Sequence, residues 1–336
     1  MMDATKKELL LEVKDLCMHF PLQGGFFDKV RGVIKAVDGV SFKLYKGSTF
    51  GLVGESGCGK TTTGRLIMKV MKPTRGSILF HDNETGPVAI HALSNKKMRP
   101  YRRKIQMIFQ DPYSSLDPRM TIQQIVGEPL RAAGKVYMND YRNTIAHILQ
   151  KSGLSADFMD RYPHAFSGGQ RQRIGIARAL VMKPQLVVAD EPVSALDVSV
   201  QAQILNLLKE LQETLGLTYL FVAHDLSVIR YMCDTLAVMY VGKIVEMGSS
   251  EDIFSKPAHP YTEGLLSIIP RTDSKTKRDK KLKGSVADAS NLPSGCYFHP
   301  RCSYAKDICR TKQPALREME NGHEVACHFN LALQGI

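Results

Sequence analysis

At 336 residues, 43% hydrophobic and 23% charged, the chain has the composition of an ordinary folded protein and the length of one large core with an appendage. It contains no apolar run near the roughly 18 residues that a membrane helix requires, and the charged opening Met1-Met2-Asp3-Ala4-Thr5-Lys6-Lys7 is not followed by a secretory apolar stretch, so the expected location is the cytosol. A net charge of +12 raises nucleic acid or an anionic membrane surface as partners, but +5 of it falls between Arg271 and Gly284, where seven Lys or Arg face only Asp273 and Asp279, as in a solvated linker.

The first elements read as β-structure. Leu9-Leu10-Leu11-Glu12-Val13 and Val40-Ser41-Phe42-Lys43-Leu44 have the pattern of strands, and Lys46-Gly47-Ser48 turns the chain into the apolar run Thr49 to Val53. Residues 61 to 71 have helical composition. Between the last strand and this helix stands Gly54-Glu55-Ser56-Gly57-Cys58-Gly59-Lys60-Thr61, the G-x-x-x-x-G-K-[ST] pattern in the strand, loop, helix context that a phosphate-binding loop requires. Glycines there let backbone N–H groups wrap phosphates, Lys60 is suited to the β- and γ-phosphate charge, and Thr61 to Mg²⁺; the helix N-terminus adds its partial positive charge.

Residues 120 to 165 have helix-like patterning. Leu186-Val187-Val188-Ala189 then reads as a strand buried on both faces and ends in Asp190-Glu191, with Asp190 suited to hold Mg²⁺ and Glu191 to orient or deprotonate an attacking water. A helix from Ser199 to Leu215 and a strand over Leu217 to Ala223 follow. Alternation of this kind predicts an α/β fold with a largely parallel sheet covered by helices, and the chain carries no internal repeat. By themselves these motifs define a phosphate-loop ATPase or GTPase.

Of seven cysteines, Cys17, Cys58 and Cys233 are scattered, whereas Cys296, Cys302, Cys309 and Cys327 fall at spacings x5, x6 and x17. Without a secretory signal, a disulfide framework is not expected. Four thiolates in this stretch suit a tetrahedral zinc or an iron–sulfur cube, and the lack of any C-x-x-C pair sets the group apart from common zinc ribbons.

Phe166-Ser167-Gly168-Gly169-Gln170-Arg171-Gln172-Arg173, just before the Asp190-Glu191 strand, closely resembles the signature sequence of ABC cassettes. Four further positions resemble the family's elements: Phe109-Gln110-Asp111 its glutamine loop, Ser194-Ala195-Leu196-Asp197 the loop joining two cassettes, His224 the switch histidine, and Phe20 the aromatic that stacks on adenine, for which Phe26 or Phe27 are alternatives. The resemblance implies an ABC-type P-loop ATPase core with an antiparallel β subdomain and a helical signature subdomain over residues 8–258, and a small cysteine-rich extension over 259–336. It implies ATP and Mg²⁺ as cofactors, with Gln110 joining Thr61 and Asp190 at the metal. Catalytic work falls to Glu191, His224 and Gln110, the nucleotide also meets Thr62 and Asp197, and Ser167, Gly168, Gly169 and Gln170 act in trans on a partner's ATP.

Within that family, Gly54 to Arg65, the run Gln106 to Arg119 and His259-Pro260-Tyr261-Thr262 resemble the dipeptide and oligopeptide permease ATPases, most closely the second, F-type subunit. This implies peripheral attachment at the cytoplasmic face of the membrane, a second non-identical ATPase, two transmembrane permease subunits and an extracellular peptide-binding protein. Cysteines like these in peptide-importer ATPases imply a 4Fe-4S cluster. Uptake of another solute such as a metal chelate remains an alternative. No nucleic acid partner is expected, because the basic run lacks interleaved aromatics and the chain has one cassette without a coiled-coil insertion.

Overall fold

The computed structural model describes residues 7–22, 32–134, 138–268, 282, 284–319 and 322–329. Phe26 and Phe27 lie outside the described residues, as does the basic stretch from Arg271 to Gly284 apart from Leu282 and Gly284. The chain forms two compact units, one built from Met1–Leu10, Leu44–Thr49 and Ala92–Val222, the other from Leu11–Lys43, Phe50–His91 and Ala223–Ile336.

The first unit contains a parallel ladder in which Leu186–Asp190 runs between Ile105–Ile108 and Thr218–Ala223, in register Ile105 to Leu186 and Leu186 to Thr218. Every residue of the two strands Leu186–Asp190 and Thr218–Ala223 is buried, which is why they are continuous apolar runs without alternation. Helices Ile122–Ala132, Met138–Lys151 and Gly168–Leu180 pack on one another. The helix-like patterning of residues 120 to 165 thus resolves into two helices and two 3₁₀ turns. Thr121 starts the first helix through a reciprocal capping box with Gln124.

The second unit contains a four-stranded antiparallel sheet in the order Gly32–Tyr45, Leu9–Leu22, Arg75–Asp82, Gly86–Ala89. The first two strands run well past the short segments expected from alternation. Asp15 takes φ 45°, and the register shifts between Lys14 and Cys17, a bulge that carries the strand through a polar pair where the hydrophobic pattern breaks.

The other ladder of this unit is mixed. Thr49–Val53 runs parallel to Thr235–Tyr240, with Phe50 opposite Thr235, and the chain then reverses at Val241-Gly242 into the antiparallel strand Lys243–Ser249. Both turn residues have positive φ, 40° and 77°, the backbone twist that a two-residue hairpin demands. Short strands Glu324–Val325 and Arg317–Glu318 extend that edge, with Val325 opposite Glu246. The described residues beyond 259 therefore belong to the unit that also holds Gly54 to Thr61. Among the described residues, no helix is long and apolar enough to cross a membrane.

Candidate nucleotide-binding site

The strand Thr49–Val53 is wholly buried and delivers the chain into the loop at Gly54, and the helix Lys60–Ile67 leaves it. A side chain at Gly59 would meet two obstacles: φ is 107°, and a Cβ would lie 2.1 Å from the Ala36 carbonyl oxygen. At Gly54 the Met239 carbonyl oxygen would be 2.2 Å from a Cβ. Ser56 and Gly57 are exposed, Cys58 is buried, and Thr61 and Thr62 are half-buried at the head of the helix. Lys60 is 4% exposed, and its Nζ donates to the carbonyls of Gly54 (2.7 Å) and Glu55 (3.0 Å), so the loop curls around its own ammonium. Phe20 is half-buried near the end of Leu9–Leu22, and His224 is exposed directly after the strand Thr218–Ala223.

On the other unit, Asp190 is the buried last residue of its strand. Glu191 takes φ 46°, a left-handed backbone that is costly for a side chain of this kind, and its N–H is fixed on the Val222 carbonyl at 2.8 Å. The Gln110 amide donates to the Glu191 carboxylate at 3.2 Å, so these two expected site residues do meet. Ser167 and Gln170 form a second capping box: Ser167 Oγ accepts from the Gln170 N–H (3.3 Å), and Gln170 Oε1 from the Ser167 N–H (3.1 Å). The segment thus starts the helix Gly168–Leu180, with Gly168 and Gly169 in its first turn. Gly169 is also a close-approach position, since a Cβ there would lie 2.5 Å from Val200 Cγ1. Asp197 caps the helix Val198–Leu215 by accepting from the Val200 N–H at 3.0 Å, and that bond with the Ser199 hydroxyl holds its carboxyl below the usual range.

The four late cysteines line one small pocket together with His299, Phe298 and His328, and all are free thiols. Burial above all, together with the field of neighbouring sulfurs, pushes Cys296 up to about 11 and Cys302 to about 12. Tetrahedral zinc with bonds of about 2.3 Å would draw its sulfurs to roughly 3.8 Å apart. Among the described residues, the one group of three or more ligand-type atoms within 4.8 Å of one another is Cys17, His19 and Asp38, so no three of the late sulfurs are that close. Asp38 is already paired with Lys243 at 3.1 Å and Lys35 at 3.8 Å, which disfavours a cation at that other group.

Sequence reasoning missed the partners of Glu55. Its carboxylate receives both arms of the Arg301 guanidinium, and its N–H donates to the Tyr261 hydroxyl at 3.0 Å. It also missed the buried Glu246 carboxylate, which accepts from the N–H groups of Ala258 (2.7 Å) and His259 (2.9 Å) and pairs with His323 at 2.8 Å. With the charged partners 246 and 77 positions apart in sequence, no local pattern announces either pairing.

Residues 37–194 match the ABC transporter family, and residues 245–309 match the C-terminal region of oligopeptide/dipeptide transporters. The chain is 49% identical over 332 residues to the oligopeptide transport ATP-binding protein AppF of Bacillus subtilis, covering 98% of this chain and 99% of that one. It is 47% identical over 326 residues to the dipeptide transport ATP-binding protein DppF of Haemophilus influenzae, covering 95% and 96%. Among solved structures, cbiO1 from Clostridium perfringens, part of the ABC transporter complex cbiONQ, superposes with a TM-score of 0.62 at 27% identity over 74% of this chain and 92% of that one. The ATP-binding cassette MJ0796, in a dimeric post-hydrolysis state bound to ADP and Pi, gives 0.62 at 27% identity over 72% and 99%. The chain belongs to the family of oligopeptide and dipeptide transport ATP-binding proteins, the ATP-hydrolysing cassettes of ABC transporters.

Proposed function

We propose that this chain energises the import of di- and oligopeptides through a membrane complex, working at its cytoplasmic face. The single observation that carries the peptide assignment is the match of residues 245–309 to a C-terminal region particular to oligopeptide and dipeptide transporters, on a chain that aligns end to end with transport proteins named for those substrates. The complex contains a second, non-identical ATPase, two transmembrane permease subunits and an extracellular peptide-binding protein.

The chemistry divides by residue. Lys60 and the N–H groups of the loop from Gly54 to Thr62 take the β- and γ-phosphates; Thr61, Gln110 and Asp190 hold Mg²⁺; Phe20 stacks on adenine. Glu191 acts as base toward the attacking water, with Gln110 and His224 sensing the γ-phosphate. The bond between Gln110 and Glu191 supports this pairing, because it fixes the carboxylate that must aim the water. Ser167 to Gln170 serve the partner cassette's nucleotide, as the N–H groups of a capped helix start suit a phosphate, and Asp197 meets the nucleotide from the loop that joins the two cassettes.

The late cysteines are read as ligands of an iron–sulfur cube rather than of zinc. They line one pocket, yet no three of their sulfurs come within 4.8 Å, a wider spacing than tetrahedral zinc takes. Cys296, Cys302, Cys309 and Cys327 would hold a 4Fe-4S cluster, which when bound supplies the positive charge that keeps buried thiols ionised and cross-links a tail with little core of its own.

Affinity purification of the tagged chain from its native membranes in mild detergent, with subunits identified by mass spectrometry, tests the assignment. Recovery of a second cassette and two polytopic proteins is expected; recovery of ribosomes, DNA or soluble proteins alone overturns it.

A further inference from the structure

Three groups of one phosphate-loop residue are spoken for. The Glu55 carbonyl accepts from Lys60 at 3.0 Å, its N–H donates to Tyr261 Oη at 3.0 Å, and its carboxylate is gripped by Arg301, whose Nη1 lies 2.7 Å from Oε2 and Nη2 3.1 Å from Oε1. Two of the three partners come from residues beyond 259. The fork-to-fork geometry is the strong, orienting form of an arginine–carboxylate pair, and the Arg301 side chain is only 6% exposed.

Arg301 is itself held in place. It ends the 3₁₀ turn His299–Arg301, its guanidinium lies 5.8 Å from the Tyr240 ring centre and 5.9 Å from that of Phe298, and Phe298 packs at 5.4 Å against Tyr261. Two late cysteines bracket the turn. The Cys296 carbonyl accepts from the His299 N–H at 3.0 Å, and the Cys302 N–H donates to the His299 carbonyl at 3.2 Å.

We propose that Arg301 is a positioning residue for ATP: by neutralising and orienting Glu55 it presets the phosphate loop, making the C-terminal extension part of the nucleotide-binding machinery. This rests on the reading of Gly54 to Thr61 as the loop that takes the triphosphate. Two physical effects have the same sign. An arginine fork on Glu55 restricts the loop before ligand arrives, so less ordering is required on binding. It also cancels a carboxylate that otherwise sits in the loop meant to receive a triphosphate, where like charge opposes binding. Neither effect touches the reacting atoms, so affinity changes and turnover at saturation does not.

The discriminating variants are Arg301→Gln, Arg301→Lys and the double variant Glu55→Gln/Arg301→Gln in the full chain. Arg301→Gln, which leaves the carboxylate unpaired, weakens binding of a fluorescent ATP analogue about tenfold and raises the ATPase KM of the purified complex, with kcat within about twofold. Removing the carboxylate as well restores affinity to within about threefold of the parent, a rescue that a merely structural role for Arg301 would not give. Arg301→Lys keeps the charge but not the fork; it weakens binding about threefold and speeds amide hydrogen exchange in residues 54–60, which keeps the test decisive if Arg301→Gln does not fold. Parental affinity and exchange in Arg301→Lys, or a double variant as weak as Arg301→Gln alone, overturns the proposal. A parallel Lys60→Ala variant separates the two levels: its retention of ATP binding refutes the reading of the loop, whereas its loss of binding beside unaffected Arg301 variants refutes the role of Arg301 alone.

Discussion

The Gln110 side-chain amide lies 3.2 Å from the Glu191 carboxylate and donates a hydrogen bond to it, joining the segment after Ile105–Ile108 to the end of the buried strand Leu186–Asp190. Glu191 is fixed from a second side as well, by its left-handed backbone and the N–H bond to Val222. A carboxylate restrained in this way is a suitable base for a positioned water. Glu191→Gln should therefore keep ATP affinity and lose about a hundredfold or more in kcat, measured by phosphate release from the purified complex. Turnover equal to the parent's removes Glu191 from the chemistry.

Gly59→Ala tests the loop by geometry rather than by charge. A Cβ 2.1 Å from the Ala36 carbonyl oxygen forces the backbone to move at the point where the helix Lys60–Ile67 begins. ATP binding should fall more than about tenfold while far-ultraviolet circular dichroism stays that of a folded chain. Parental affinity would mean that the loop conformation is immaterial to nucleotide.

For the cysteine pocket, chain purified without oxygen should be brown, with iron and acid-labile sulfide in equal amounts, and Cys302→Ser should lower both per mole of protein and reduce the visible absorption. Colourless protein with one zinc per chain contradicts the cluster.

Glu246 and His323 set a pH dependence. The bond to the fully buried Glu246 carboxylate raises the His323 imidazole above its ordinary 6.5, against the opposing effect of burial. A group raised by folding contributes stability that is complete below about 6.5 and is lost as pH rises through the folded value. The stability that the parent holds over His323→Gln should therefore be greatest below about pH 6.5 and shrink as pH rises, read as the difference between their melting midpoints across pH. Glu246→Ala, which strands two N–H groups and the imidazole, should cost about 3 kcal/mol by denaturant titration. His259 acts with the opposite sign: burial lowers it to about 4, where as a neutral ring it accepts the Tyr261 N–H at 3.0 Å, so its stabilisation is present above about 6.5 and is lost as pH falls toward 4.

The sequence makes legible what the chain keeps contiguous. Gly54 to Thr61 carries its own turn requirements, Asp190-Glu191 follows an unbroken apolar strand, and Ser167 with Gln170 spells a helix start three residues long. Strand lengths exceed what alternation shows, because the bulge between Lys14 and Cys17 lets a strand cross a polar pair that ends an alternating pattern. The largely parallel sheet is legible in the sequence, but its antiparallel edge is not, because the reversal at Val241-Gly242 rests on a β-branched residue at positive φ, which propensity argues against. Arg301 and Tyr261 were illegible for a different reason: their partner is Glu55, and a pairing across 246 or 206 residues leaves no periodic trace.

The central claim is best tested by transport itself. The complex recovered through the tagged chain is reconstituted into vesicles with its binding protein, and uptake of radiolabelled tetra-alanine is followed with ATP supplied on the side of the cassettes. Uptake that requires ATP, exceeds that of free alanine and falls to background when the chain carries Glu191→Gln is the predicted result. Tetra-alanine uptake that is independent of ATP or unaffected by Glu191→Gln would contradict the account.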